Sequence, residues 1–78
     1  MDNPLEIWFE LEKARAEKEG RRFTTEDGAN LLGVSRQTFQ SWRSGLYVPD
    51  YRFHDQISEA TGGMADCLKL MEWKLKNA

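Results

Sequence analysis

Residues 24–45 constrain this chain more than any other stretch, because two short helical patterns meet there at a single glycine. The first begins at Thr24, with Asp27 three positions on. That is the spacing of a capping box, with Asp in place of the more usual Glu. Glu26 and Asp27 also put negative charge at the positive end of the helix dipole. Ala29 and Leu32 face inward, and Gly33 suits the left-handed conformation that ends a helix. Ser35 then caps a second helix, predicted over residues 36–44.

The second helix has two unlike faces. At about 100° per residue, Phe39 and Trp42 fall together, with Thr38 beside them. Arg36, Gln37, Gln40, Ser41 and Ser44 fall on the opposite side, and Arg43 lies at the boundary. One face is aromatic and suits a core. The other is small, polar and positive. From residue 28 to residue 49 the sequence holds no Asp or Glu. A helix exposed for solubility alone would mix both signs. Amides and guanidinium groups are the side chains that suit base edges and phosphates.

This stretch resembles the helix-turn-helix of phage Cro and repressor-type regulators. The likeness is carried by Ala29, by Gly33-Val34-Ser35, and by Phe39 and Trp42. These stand at the family's small residue, its turn and its two packing positions. The wider run 32–38, followed by Trp42-Arg43-Ser44-Gly45, is close to the family pattern. Val48-Pro49, and later Ile57 with Ala60-Thr61-Gly62-Gly63, look like small Cro-like and YdaS-like proteins. The resemblance covers residues 24–63 and implies a lambda-repressor-like fold that binds DNA. Two positions depart from the pattern. Thr25 stands where many members carry Gln. Gly28 sits inside the first helix, where glycine costs about 1 kcal/mol against alanine.

Seventy-eight residues allow one domain, spanning 1–78. A core this small is marginal. A disulfide cannot support it, because Cys67 is the only cysteine. His54 is the only histidine and is far in sequence from Cys67, so neither a metal site nor a cofactor is expected. Three Trp, four Phe and two Tyr supply large buried areas. Oligomerisation is the other expected source of stability. The net charge of −2 weighs against a nucleic-acid binder, for which a basic domain is the default. Its distribution softens that objection. Residues 21–52 carry five Lys/Arg against three Asp/Glu, so the positive part coincides with the motif. The start, Met1-Asp2-Asn3-Pro4, lacks a basic region and a following apolar run, so no signal peptide is expected. No apolar segment approaches the ~18 residues needed to span a bilayer. The expected location is the cytoplasm, on the nucleoid when DNA is bound.

The rest of the chain reads as three more helices. Asn3 as cap, Pro4 at the first position and Glu6 three residues after Asn3 open one that runs to residue 19, before Gly20. Ile7, Trp8, Leu11 and Ala14 form one apolar stripe on it, and Leu5, Phe9 and Ala16 a second. Either the domain wraps this helix broadly, or Leu5 and Phe9 face a partner. Arg21 and Arg22 follow, as phosphate contacts or as a soluble linker, and Phe23 is placed to staple the Thr24 cap. In the loop 46–50, Leu46 and Val48 are expected to fill the space beneath the second motif helix. Tyr47 either hydrogen-bonds a phosphate oxygen or packs. A fourth helix is predicted from 50 to 61, with Phe53, Ile57 and Ala60 inward and His54 beside that face as a partly buried residue. After Gly62-Gly63, a last helix is predicted from 64 to 76. Its inward stripe is expected to be Met64, Cys67, Leu68, Met71 and Leu75, leaving Leu70 and Trp73 outside.

The expected fold is all-α: a compact five-helix domain containing a helix-turn-helix. Leu11, Phe23, Ala29, Leu32, Val34, Phe39, Trp42, Ile57 and Leu68 are its predicted core. The leading functional expectation is a sequence-specific DNA-binding transcriptional regulator, phage repressor, Cro-like or antitoxin-like, acting as a homodimer on an inverted repeat in operator DNA. Surplus apolar residues Leu5, Phe9, Leu70 and Trp73 motivate the dimer, with the last helix as its contact. Arg36, Gln37 and Gln40 are expected nearest the bases. Ser41 and Ser44 lie farther along the face and suit the DNA backbone. Ser35, Arg43, Tyr47 and the N–H groups near Thr24 and Thr25 are phosphate candidates. An adaptor that binds a protein partner with the same fold is the alternative. An enzyme is the poorest reading. One His, one Cys, no glycine-rich phosphate loop and no paired carboxylates offer little catalytic equipment.

Overall fold

Five α-helices form in chain order: α1 (Pro4–Lys18), α2 (Thr25–Leu32), α3 (Arg36–Ser44), α4 (His54–Ala60) and α5 (Cys67–Asn77). A single 3₁₀ turn, Tyr51–Phe53, precedes α4. The computed structural model describes residues 2–77, and no strand occurs among them. The radius of gyration is 11.9 Å, close to the ~11.5 Å of a folded chain of this length. No helix among the described residues is long and apolar enough to cross a membrane.

The helix starts follow from local capping. The Asn3 side chain accepts the Leu5 N–H at 2.8 Å. At α2 the expected box closes, with Thr24 Oγ1 accepting the Asp27 N–H at 3.2 Å and the Asp27 carboxylate accepting the Thr24 N–H at 2.8 Å. Ser35 Oγ accepts the Thr38 N–H at 3.1 Å and starts α3. Between α2 and α3 lie only residues 33–35, with Gly33 left-handed at φ 71°.

The fourth and fifth helices begin later than predicted. Asp50 caps the 3₁₀ turn by accepting the Arg52 N–H at 3.0 Å, so regular α-geometry starts only at His54. Residues 62–66 form a turn, because Gly62 and Gly63 are both left-handed. The buried Thr61 hydroxyl holds that turn by accepting the Ala65 N–H at 3.1 Å. Asp66 then accepts the Lys69 N–H at 2.8 Å, and α5 starts at Cys67.

The core gathers Leu5, Trp8 and Phe9 of α1, Ala29 and Leu32 of α2, Phe39 and Trp42 of α3, Ile57 of α4, and Cys67 and Leu70 of α5. Phe23, Val34, Phe53 and Ala60 pack against it partly buried. Two predicted core residues are not in it: Leu11 is 50% exposed and Leu68 54%. On α1 the stripe with Leu5 and Phe9 faces inward together with Trp8, so those two do not face a partner. On α5 the inward stripe is not the predicted one. Cys67 is buried as expected, but Leu70 joins it in the core while Leu68, Met71 and Leu75 are exposed, as is Met64 before the helix. Leu46 is exposed as well and does not fill the space beneath α3; in the same loop Val48 is half-buried and Pro49 is buried.

Candidate nucleic-acid interface

α3 is fixed from three directions, which leaves its polar side outward. Phe39 is fully buried, and its ring lies against the backbone of Gly28, where a Cβ would come within 2.7 Å of it. The rings of Trp8 and Phe9 meet Phe39 with centroids 6.3 and 5.7 Å away. Trp42 packs edge-on against Phe53 at 5.2 Å. The C-terminal end of α3 is held by side chains from both ends of the chain. Asn3 Nδ2 donates to the Trp42 carbonyl at 3.0 Å. The Lys74 ammonium of α5 donates to the carbonyls of Gly45 and Leu46. At the end of α2, Gln56 Nε2 donates to the Leu32 carbonyl.

The outward side carries Arg36, Gln37, Gln40 and Ser44, all exposed, with Ser41 half-buried. Tyr47 is 64% exposed, so its ring is not packed into the loop. Gln37, Thr38, Ser41, Trp42 and Tyr47 line one open groove of about 230 Å³. The fold therefore brings Gln37, Ser41 and Tyr47 together from α3 and the loop behind it. Thr25 belongs to a different groove of about 540 Å³, between α1 and the start of α2, that Lys13, Glu17, Arg22 and Arg43 also line.

Three of the predicted contacts are engaged within the fold. Arg43 Nε pairs with the Glu6 carboxylate of α1 at 2.9 Å, and its guanidinium lies 4.1 Å from the Phe9 ring centroid. Arg43 thus anchors α3 to α1, and its Nη1 is buried without a hydrogen-bond partner. Burial pushes the Glu6 carboxyl above the ordinary glutamate range, and the opposing pull of Arg43 is the smaller effect. The Ser35 hydroxyl accepts from the Thr38 N–H and also donates to Thr38 Oγ1 at 2.9 Å. The Ser44 hydroxyl donates to the Ser41 carbonyl at 3.2 Å. His54 is half-buried and stacks on Tyr51 with centroids 4.9 Å apart.

Comparisons of the chain with protein-family models, with curated proteins and with solved structures found no match.

Four residues that position α2 and α3 carried no local signal of doing so. Asn3 announces itself as a cap of α1, but its second bond reaches 39 positions along the chain. Gln56 and Lys74 look like ordinary surface polar residues. Glu6 reads as the end of a capping box and is instead turned to Arg43. Only the assembled helices bring these groups to their partners.

Proposed function

We propose that the chain is a sequence-specific DNA-binding transcriptional regulator, in which α2 and α3 act as a helix-turn-helix and α3 enters the major groove. The observation that carries this reading is the outward face of α3. Arg36, Gln37 and Gln40 stand exposed in its first turns on a helix anchored at Phe39, Trp42 and Gly45. A recognition helix needs that combination of a rigid mount and free amide and guanidinium groups. Arg36 can pair with guanine O6 and N7, and either Gln with adenine N6 and N7. Ser41, Ser44 and Tyr47 lie farther along and suit phosphates. Thr25 and Arg22, in the groove at the start of α2, suit the phosphates on the far side of the helix pair. Arg43 is assigned to positioning, because Glu6 and Phe9 already hold it. The working form in this proposal is a homodimer on two related half-sites, in the cytoplasm, with no catalytic step.

A second reading, an adaptor for a protein partner, draws support from one observation. With Arg43 paired to Glu6, Arg36 is the only cation left on the outer face of α3. Selection from a pool of random duplexes decides between the two. Enrichment of a defined sequence, bound more weakly as salt rises, supports the regulator. An unenriched pool supports the adaptor.

A further inference from the structure

The groove between α1 and the start of α2 holds charges that the fold leaves unused. Its volume is about 540 Å³, within the range of small-molecule sites, roughly 300–1,000 Å³. Phe9 and Phe23, with ring centroids 5.7 Å apart, give it an apolar lining. Glu10, Lys13 and Glu17 stand on the side formed by α1, and Arg22 and Arg43 belong to the other elements that close it. Lys13 lies three residues after Glu10 and four before Glu17, spacings at which helix charges pair. No ion pair joins it to either. Its ammonium lies 5.7 Å from the Phe9 ring centroid, over the same ring as the Arg43 guanidinium.

Two groups at this end of the groove lack a counterpart. Arg43 gives its Nε to Glu6 and keeps Nη1 buried without an acceptor. A buried donor left unpaired is costly. Glu10 stands close enough to Glu6 to disfavour the charge on that carboxyl. The first feature calls for a carboxylate and the second for an ammonium group. Three cations line the groove, against two carboxylates and a third, Glu6, that is bound to Arg43. With the signs balanced, a ligand carrying both gains more than a ligand carrying either. We propose that this groove binds a free amino acid, with its carboxylate received by Arg43 and Lys13 and its ammonium by Glu10. Such a ligand touches the strut that ties α3 to α1, so its occupancy bears on how the outer face of α3 is mounted. The inference does not rest on the DNA-binding proposal and is tested without DNA.

The test is titration of the isotope-labelled protein with each standard amino acid at millimolar concentration, followed by its amide spectrum. At least one should shift the amides of Phe9, Lys13 and Phe23 to saturation and leave those of Met71 and Leu75 in place. For that amino acid, the analogue without the amino group and the analogue without the carboxyl group should each bind about tenfold more weakly, since one charge-assisted contact is lost. Glu10→Gln, a change at an exposed position, should weaken the amino acid to the level of its deaminated analogue without weakening that analogue. A spectrum indifferent to every amino acid overturns the inference. So does a deaminated analogue that binds as tightly as the amino acid, which would make this a plain anion site. A Glu10→Gln variant with wild-type affinity overturns it as well. The two proposals fail separately: a protein that selects a DNA sequence but binds no amino acid defeats only this site, and one that binds an amino acid without selecting DNA defeats only the regulator.

Discussion

Gly28 shows how a residue that looks like a defect in the sequence acquires a reason in the fold. By propensity alone, alanine in its place should stabilise α2 by about 1 kcal/mol. The Phe39 ring occupies that space, with Cε2 2.7 Å from where the Cβ would stand. Phe39 is fully buried and cannot turn away cheaply. Gly28→Ala should therefore destabilise the protein, by about 1–3 kcal/mol as overpacked cores do; a urea titration showing a more stable variant would contradict that packing. Trp42, 5% exposed and set edge-on to Phe53, was legible as a core residue from its spacing to Phe39. Its truncation to alanine should cost about 3–5 kcal/mol, read as a loss of urea midpoint. The Glu6–Arg43 pair was not legible, because its partners are remote in sequence and Glu6 had a local use as a cap. Its pH signature has a definite sign. The folded Glu6 carboxyl titrates above its unfolded value, so the folded state holds the extra proton between the two. Stability from this group is then lost as pH rises through the ordinary glutamate range to the raised value. Subtracting a Glu6→Gln variant from the wild type across the acid range should isolate that fall. A difference that rises with pH would mean that Arg43 outweighs burial.

At the scale of elements, the local caps of α2 and α3 act where expected, while those at Asp50 and Asp66 start α4 and α5 later than expected. What depends on remote partners was not legible. Thr24 with Asp27, Ser35, Gly33 and Gly45 act within a turn or two of their own positions, and they set α2 and α3. The orientation of α5 could not be found that way. It carries apolar residues on two sides, Cys67 and Leu70 on one and Leu68, Met71 and Leu75 on the other, so periodicity alone does not choose. Two contacts with α3 decide it: Trp73 packs on Gly45, and Lys74 reaches the carbonyls of Gly45 and Leu46. The same dependence makes α1 and α3 one unit. The buried Asn3 amide accepts the Leu5 N–H and donates to the Trp42 carbonyl. Asn3→Ala should thus lose a cap of α1 and its bond to the Trp42 carbonyl, which would keep only the Gly45 N–H, for about 1–3 kcal/mol. Amide hydrogen exchange should report faster opening in both α1 and α3. Faster exchange in α1 alone would reduce Asn3 to a local cap.

At the scale of the whole molecule, α1 and α2 hold α3 from one side, and Phe53 and Lys74 secure its C-terminal half. The exposed Arg36, Gln37 and Gln40 are of the kinds that suit a base edge. The net charge of −2 is not altered by the Glu6–Arg43 pair, which removes one charge of each sign and leaves few cations near α3 to meet phosphates. In the proposed regulator, affinity should depend on few phosphate contacts and specificity on the amides of α3. That distinction makes Gln37 the informative position, exposed on α3 and lining the groove with Ser41 and Tyr47. The measurement is the affinity of wild type and Gln37→Ala for the selected duplex and for random duplex, each across a salt series. A loss of about 1–3 kcal/mol on the selected duplex, with little change on random DNA and an unchanged salt slope, is the predicted result. Equal affinities of wild type and Gln37→Ala for the selected duplex would contradict the claim that this face reads DNA.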